Sequence, residues 1–128
     1  YASPRYNVTT GDADIYMMDL KTKNVQKLDK VNSSRSESYP TWSSNGRWIM
    51  VASRRDDGNY TRPYIAYFDK EGKAHKAFEL PQKDPNFYTF FLRSFNRPEF
   101  MIEPVSVSSK EFTKKALEDA VKAKYAGQ

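Results

Sequence analysis

The sequence predicts a mainly β fold of short antiparallel strands, followed by one C-terminal helix. Three observations carry this expectation. Short apolar runs rich in β-favouring residues alternate with polar, turn-forming stretches. Related residues recur at a constant offset between those runs. Only the last part of the chain changes from strand-like runs to helical spacing.

Asp14-Ile15-Tyr16-Met17-Met18-Asp19-Leu20 is the first run, apolar on both parities, as expected of a strand covered on both faces. Lys21-Thr22-Lys23-Asn24 turns the chain, and Val25-Gln26-Lys27-Leu28 returns as a more polar strand. Ser33 to Ser38 reads as a loop by composition. Arg47-Trp48-Ile49-Met50-Val51-Ala52-Ser53 is another strand covered on both faces, followed by the charged turn Arg54 to Asn59. Tyr64 to Asp69 and Ala74 to Leu80 form the next hairpin across Lys70-Glu71-Gly72-Lys73, and Pro81 and Pro85 end it. In the returning strand Ala74, Phe78 and Leu80 share the apolar parity. In the tail, Ser108 and Glu111 match a capping box. Phe112, Ala116, Leu117, Ala120, Val121 and Tyr125 then recur at helical spacing, with Gly127 placed to end the helix. This helix is expected to pack on the strands.

Composition excludes many chemistries. The chain has 128 residues, 21 Lys+Arg, 16 Asp+Glu and a formal net charge of +5, which bounds it to one ordinary domain. Aromatics at 15% give it too much to bury for a disordered chain. Without cysteine there is no disulfide, thiolate nucleophile or Cys-ligated metal. His75 is the single histidine and falls on the polar parity of its strand, so it reads as a surface residue, not a catalytic base. The glycines form no nucleophile elbow, phosphate loop or dinucleotide fingerprint. No apolar run is long enough to span a membrane, and no signal peptide is expected in this chain.

The internal repeat sets the expected architecture. Asp19 and Asp69 lie 50 residues apart. At the same offset Ile15 meets Ile65, Lys23 meets Lys73, Leu28 meets Phe78, Ala2-Ser3 meets Ala52-Ser53, and Arg5 meets Arg55. A period of about 40 to 50 residues in strand hairpins is the mark of antiparallel β-propeller blades. Sheets sandwiched between neighbouring blades also account for strands apolar on both faces. The expected organisation is a partial propeller of about two blades over residues 1–105, with a partial blade at 1–30, a full blade at 36–81 and a closing segment at 84–105. An amphipathic helix follows over 106–128.

From Ser38 to Gly58 the motif is more specific. Pro40-Thr41-Trp42-Ser43-Ser44-Asn45-Gly46, the strand Arg47 to Ser53, and Arg54-Arg55-Asp56-Asp57-Gly58 resemble the repeat of TolB-like β-propellers. The pattern there is Pro-x-Trp-Ser-Pro-Asp-Gly, an apolar strand, then a Ser-Arg-Arg-Asp-Gly-like turn. Asp14-Ile15-Tyr16-Met17-Met18-Asp19 matches the strand that follows in that repeat. Ser44-Asn45 replaces Pro-Asp, but Asn-Gly still supplies the positive φ such a turn needs. The similarity covers residues 1 to about 80. In that register the first blade lacks its opening strand, so the chain is expected to be a C-terminal piece of a larger propeller with open blade faces.

The resemblance implies a non-catalytic, protein-binding module of a bacterial cell envelope, periplasmic or outer. A carbohydrate- or cell-wall-binding propeller is the second reading, and the propeller part of a prolyl-oligopeptidase-like hydrolase the third. Aromatic and arginine side chains near loops are the candidate binding residues, because these types dominate interaction hot spots: Tyr39, Arg54, Arg55, Tyr60, Arg62 and Tyr88, with Arg35 beside them. Nucleic acid is not an expected partner, since the basic residues are scattered and Asp56-Asp57 follows Arg54-Arg55 directly. Asp56 to Asn59 and Asp12 to Asp14 cluster oxygens but match no EF-hand loop, so neither a metal nor a cofactor is expected. Open blade faces predict self-association. Light scattering across a concentration series should show a molar mass that rises with concentration, and a constant monomer mass rejects the expectation.

Overall fold

The turn chemistry of Ser43 to Gly46 builds the larger sheet. Gly46 takes φ 64° and donates its N–H to Ser43 O at 2.9 Å. The Ser43 hydroxyl donates to Asn45 Oδ1 at 2.8 Å and accepts the Trp48 N–H at 3.0 Å. This locks β3 (Glu37–Trp42) against β4 (Trp48–Ser53). β5 (Arg62–Tyr67) and β6 (Phe78–Glu79) complete an antiparallel meander in the order β3-β4-β5-β6. β4 and β5 pair without interruption from Trp48↔Tyr67 to Ser53↔Arg62. β3 pairs with β4 at Trp42↔Ile49 and Thr41↔Met50, shifts register across Tyr39-Pro40, and resumes at Ser38↔Ala52 and Glu37↔Ser53.

A second antiparallel sheet holds β1 (Tyr16–Met18) and β2 (Val25–Lys27). The structure, a computed structural model, describes residues 11–121. It is mainly β, and no closed propeller forms among the described residues. The repeat matches at Ala2-Ser3 and Arg5 lie outside the described residues, as do Tyr125 and Gly127.

Asn32 ties the linker between the sheets to the start of β1. Its side-chain oxygen accepts the Ile15 N–H at 2.8 Å and its amide donates to Ile15 O at 2.9 Å. The Glu37 N–H donates to Ala13 O, and the Ala77 N–H to Lys30 O. Between the sheets lies the core of Ile15, Leu28, Val31, Ile49, Val51, Tyr64, Ala66, Phe68 and Ala77. β4 is buried from Ile49 to Ser53. β1 is not covered on both faces as expected, because Tyr16, Met18 and Leu20 are exposed.

Two further expectations are corrected. Glu37 and Ser38 are buried strand residues, not loop. The returning strand pairs only at Phe78–Glu79, with an isolated bridge Phe68↔Ala74. Its inward residue is Ala77, not Phe78, because the Ala77 hydrogen bond to Lys30 turns the chain toward the smaller sheet.

The closing segment contains a short helix, α1 (Phe87–Phe90), continued by stacked rings Phe87–Phe91 at 4.8 Å and Phe91–Phe95 at 5.0 Å. The Phe95 N–H donates to Thr61 O, fixing this segment at the start of β5. The C-terminal helix α2 (Ser109–Ala116) begins at the expected capping box, with the Glu111 N–H donating to the Ser108 hydroxyl. The Ser108 N–H and hydroxyl in turn hold the Glu111 carboxyl below its usual range. α2 does not pack on the strands, which corrects the expectation. Phe112 and Leu117 are exposed, and no α2 residue is buried. It ends at the Leu117 cap, well before Tyr125.

Glu37 is the most consequential buried polar residue. Its carboxylate accepts the Ser33 N–H at 3.0 Å, the Ser33 hydroxyl at 2.7 Å, the Ser53 hydroxyl at 2.8 Å and Arg55 Nη2 at 3.3 Å. Removing one member of a buried ion pair strands the other, at about 3–5 kcal/mol. Glu37→Ala should therefore cost about 3–5 kcal/mol in urea unfolding. A loss under ~1 kcal/mol, the worth of an exposed pair, would rule out this role.

Candidate interaction surface

The candidate residues separate into two groups. Arg55, Arg62 and Tyr88 are taken up by the scaffold. Arg55 donates Nε to Ser53 Oγ at 2.8 Å and Nη2 to Val31 O at 2.5 Å, and its guanidinium lies 4.1 Å from the centre of the Tyr64 ring. The Tyr64 hydroxyl donates to Asp56 Oδ1 at 2.7 Å. Burial, then that hydrogen bond, hold the Tyr64 phenol well above its usual range. Arg62 faces three carboxylates: Glu79 at 3.3 Å, and Asp56 and Asp57 at 3.7 Å each. It also lies 5.6 Å from the Tyr88 ring centre. Tyr88 is buried, donates its hydroxyl to Leu80 O at 2.9 Å and accepts Gln82 Nε2 at 2.7 Å. None of these three presents a free recognition group.

Arg54 donates its N–H to Ser36 O, and its Nε is buried without a partner among the described residues. The Tyr60 N–H, with that of Asn59, bonds Asp57 Oδ1 and holds the Asp57 carboxyl low, while the Tyr60 ring is half-buried. Arg35 lies across Gly58, its Nη1 3.2 Å from where a β-carbon would sit. His75 is exposed as expected, 3.8 Å from Asp69 and beside the Tyr67 ring.

Tyr39 is different. It is exposed, and at φ 49° its backbone lies in the left-handed region. For a bulky residue this costs on the order of 1–3 kcal/mol. The strain lies in the register shift of β3, directly before Pro40. Tyr39, Pro40 and Thr41 form one wall of a cleft of about 300 Å³, and Arg97, Pro98 and Glu99 form the other. The Arg97 guanidinium is 5.9 Å from the Tyr39 ring centre. Further along β3, Trp42, Ser43 and Ser44 face Phe100, Met101 and Ile102 across a second cleft of about 260 Å³. On the other side of Trp42, a groove of about 200 Å³ runs between the sheets past Tyr16 and Met18. Trp42 thus stands between two grooves, 43% exposed, with its ring 4.6 Å from Phe68.

Arg97, Trp42, Met101 and Ile102 are surface features that sequence reasoning did not single out. Arg97-Pro98 inside a segment without periodicity gives no local signal, and Trp42 reads as core in its motif. A separate aromatic cluster lies on the outer face of the larger sheet, where Trp48 meets Tyr67 at 5.2 Å and Phe78 at 6.4 Å, both edge-on. Among the described residues no group of acidic or histidine side chains could hold a metal ion, and no helix is long and apolar enough to cross a membrane.

No family model matches the chain, and no curated protein or solved structure matches it either.

Two expected outcomes follow from this division. Tyr39→Gly removes the positive-φ cost, so chemical denaturation should show unchanged or higher stability, by on the order of 1 kcal/mol. The phenols of Tyr64 and Tyr88, the latter raised mainly by burial, keep their protons in the folded chain where the unfolded chain loses them near pH 10. Their contribution is complete below that pH and declines as pH rises above it. An alkaline titration followed by circular dichroism should show this decline, and Tyr64→Phe should flatten it.

Proposed function

We propose that the chain is a non-catalytic, protein-binding module built from propeller-type repeat units of the TolB-like kind, working in a bacterial cell envelope. One observation carries the reading. Asp19 and Asp69, 50 residues apart, each open a hairpin turn whose backbone N–H groups the aspartate accepts, the first turn closing at Asn24 O and the second, one residue shorter, at Lys73 O. Asp19 Oδ1 accepts the N–H groups of Lys21 and Thr22, and Asp69 Oδ1 accepts that of Lys73. The Lys23 N–H returns to Asp19 O, and the Gly72 N–H to Asp69 O. The β1–β2 and β5–β6 hairpins thus share an Asp-opened turn, which supports reading the smaller sheet as the outer half of one repeat lying against the next. The four-stranded meander has the strand count of a blade. The exposed apolar residues Tyr16 and Met18 of the smaller sheet and Trp42 and Phe78 of the larger are of the kind that proteins use to meet other proteins.

The immobilised chain should retain at least one protein saturably from a bacterial envelope extract, and should hydrolyse neither peptide nor glycoside substrates. Turnover of either substrate class, or an extract that yields no saturable retention, contradicts the reading.

A further inference from the structure

We infer that the chain associates head to tail, the outer face of the larger sheet in one copy taking the outer face of the smaller sheet in the next. The inference rests on the repeat reading above and names a second copy of this chain as the partner of both faces.

The contact between the two sheets within one chain shows what each face accepts. Ile15 and Leu28 meet at the base of the first hairpin, where the Leu28 N–H donates to Ile15 O at 3.1 Å. Ile65 and Phe78 pair at the base of the second, both at the 50-residue offset. Ile15 and Leu28 are buried, and Met17 packs with them, in the core that the larger sheet supplies through Ile49, Val51, Tyr64, Ala66 and Phe68. The counterparts Ile65, Tyr67 and Phe78 lie on the opposite face of the larger sheet, because strand side chains alternate and paired residues share a face. That face therefore carries the equivalent of a surface that, one repeat earlier, a sheet covers. Trp48 joins it from β4, paired with Tyr67, its ring 5.2 Å from Tyr67 and 6.4 Å from Phe78. Phe78 is 44% exposed, and Trp48, Ile65 and Tyr67 are half-buried.

The covering surface has an open equivalent too. Ala66 and Phe68 belong to the face of the larger sheet that packs on the smaller one. Their counterparts 50 residues earlier are Tyr16 and Met18. Both are exposed, as is Val25, which pairs with Met18 and shares its face. The two open faces are thus the two halves of a contact already made once inside the chain.

Such a contact joins unlike surfaces, so it is heterologous and leaves one face of each kind free at the ends of the assembly. Growth then continues as concentration rises. The smaller sheet has only two strands of three residues, and its face is well under the roughly 800 Å² per partner of a stable dimer. Association is accordingly weak and reversible.

The test follows the molar mass of the full chain by light scattering up to about 1 mM, the range of weak contacts. The unaltered chain should grow beyond a dimer. Met18→Asp and Phe78→Asp each place a charge on one face and leave the other intact. Each variant alone should stay monomeric. An equimolar mixture should form a dimer that grows no further, since one variant keeps the smaller-sheet face and the other keeps the larger-sheet face. Both positions are exposed, and circular dichroism checks that each variant is folded. Val25→Asp should behave as Met18→Asp does. A monomeric unaltered chain overturns the inference, as does a mixture that stays monomeric. Association of either variant alone also overturns it, because like faces, or another surface such as the exposed apolar residues of α2, would then be meeting. If a monomeric chain still retains envelope proteins, the protein-binding reading stands and only the self-contact is wrong. If it retains none, both fail.

Discussion

A buried carboxylate fixes how the rest of the chain is arranged. Glu37 has no exposed side-chain surface, so its charge must be met within the protein. Four donors meet it, from the loop at Ser33, the end of β4 at Ser53, and Arg55 beyond that end. Their positions define the register of β3 below its shift, where Glu37 lies opposite Ser53. Arg55 then reaches on to Val31 O in the core and lies over Tyr64. Tyr64 bonds Asp56, which also faces Arg62. One desolvated anion therefore organises a chain of charges that ends at Tyr88. A side chain of different length or charge at position 37 would leave Arg55 and two serines without their acceptor.

The same network decides what is available on the surface. Arg55 and Arg62 are consumed inside it, although their residue type and loop position mark them as recognition groups. The exposed aromatic and arginine side chains lie outside the network. These are Tyr39 and Trp42 on the edge strand, Arg97 opposite them, and the exposed side of β1. Asn32 has a parallel role beside the smaller sheet, because its paired bonds to Ile15 hold the linker before β3 to the start of β1, whose Ile15 side is buried. The other face, with Tyr16 and Met18, is left open.

The strands β4 and β5 were legible because their apolar and aromatic runs have a single good solution, burial in a sheet. The Asn45-Gly46 turn and the Ser108–Glu111 capping box were legible because each is a local rule with a local mechanism. β3 was not legible at its start. Ser36, Glu37 and Ser38 carry the composition of a loop, and they are buried only because Ser33, Ser53 and Arg55 arrive from elsewhere in the chain. That one omission also hid the scaffold role of Arg55. The spacing of α2 announced an apolar stripe, but spacing cannot say whether a surface exists to receive it. Tyr39 was selected for its residue type, whereas its positive φ follows from a register shift that no local pattern announces.

Edge strands invite uncontrolled pairing, and β3 limits it in a way that bears on its use. Pro40 has no N–H to offer, and the shift at Tyr39-Pro40 interrupts the run of outward backbone groups. A long strand cannot extend this sheet in register across such an edge. Trp42 presents only one outward N–H and one outward C=O beyond the shift, too few to hold another strand by backbone bonding alone. The edge thus resists indiscriminate sheet extension. The strain at Tyr39 is the structural cost of that arrangement, because the register shift that blunts the edge requires it.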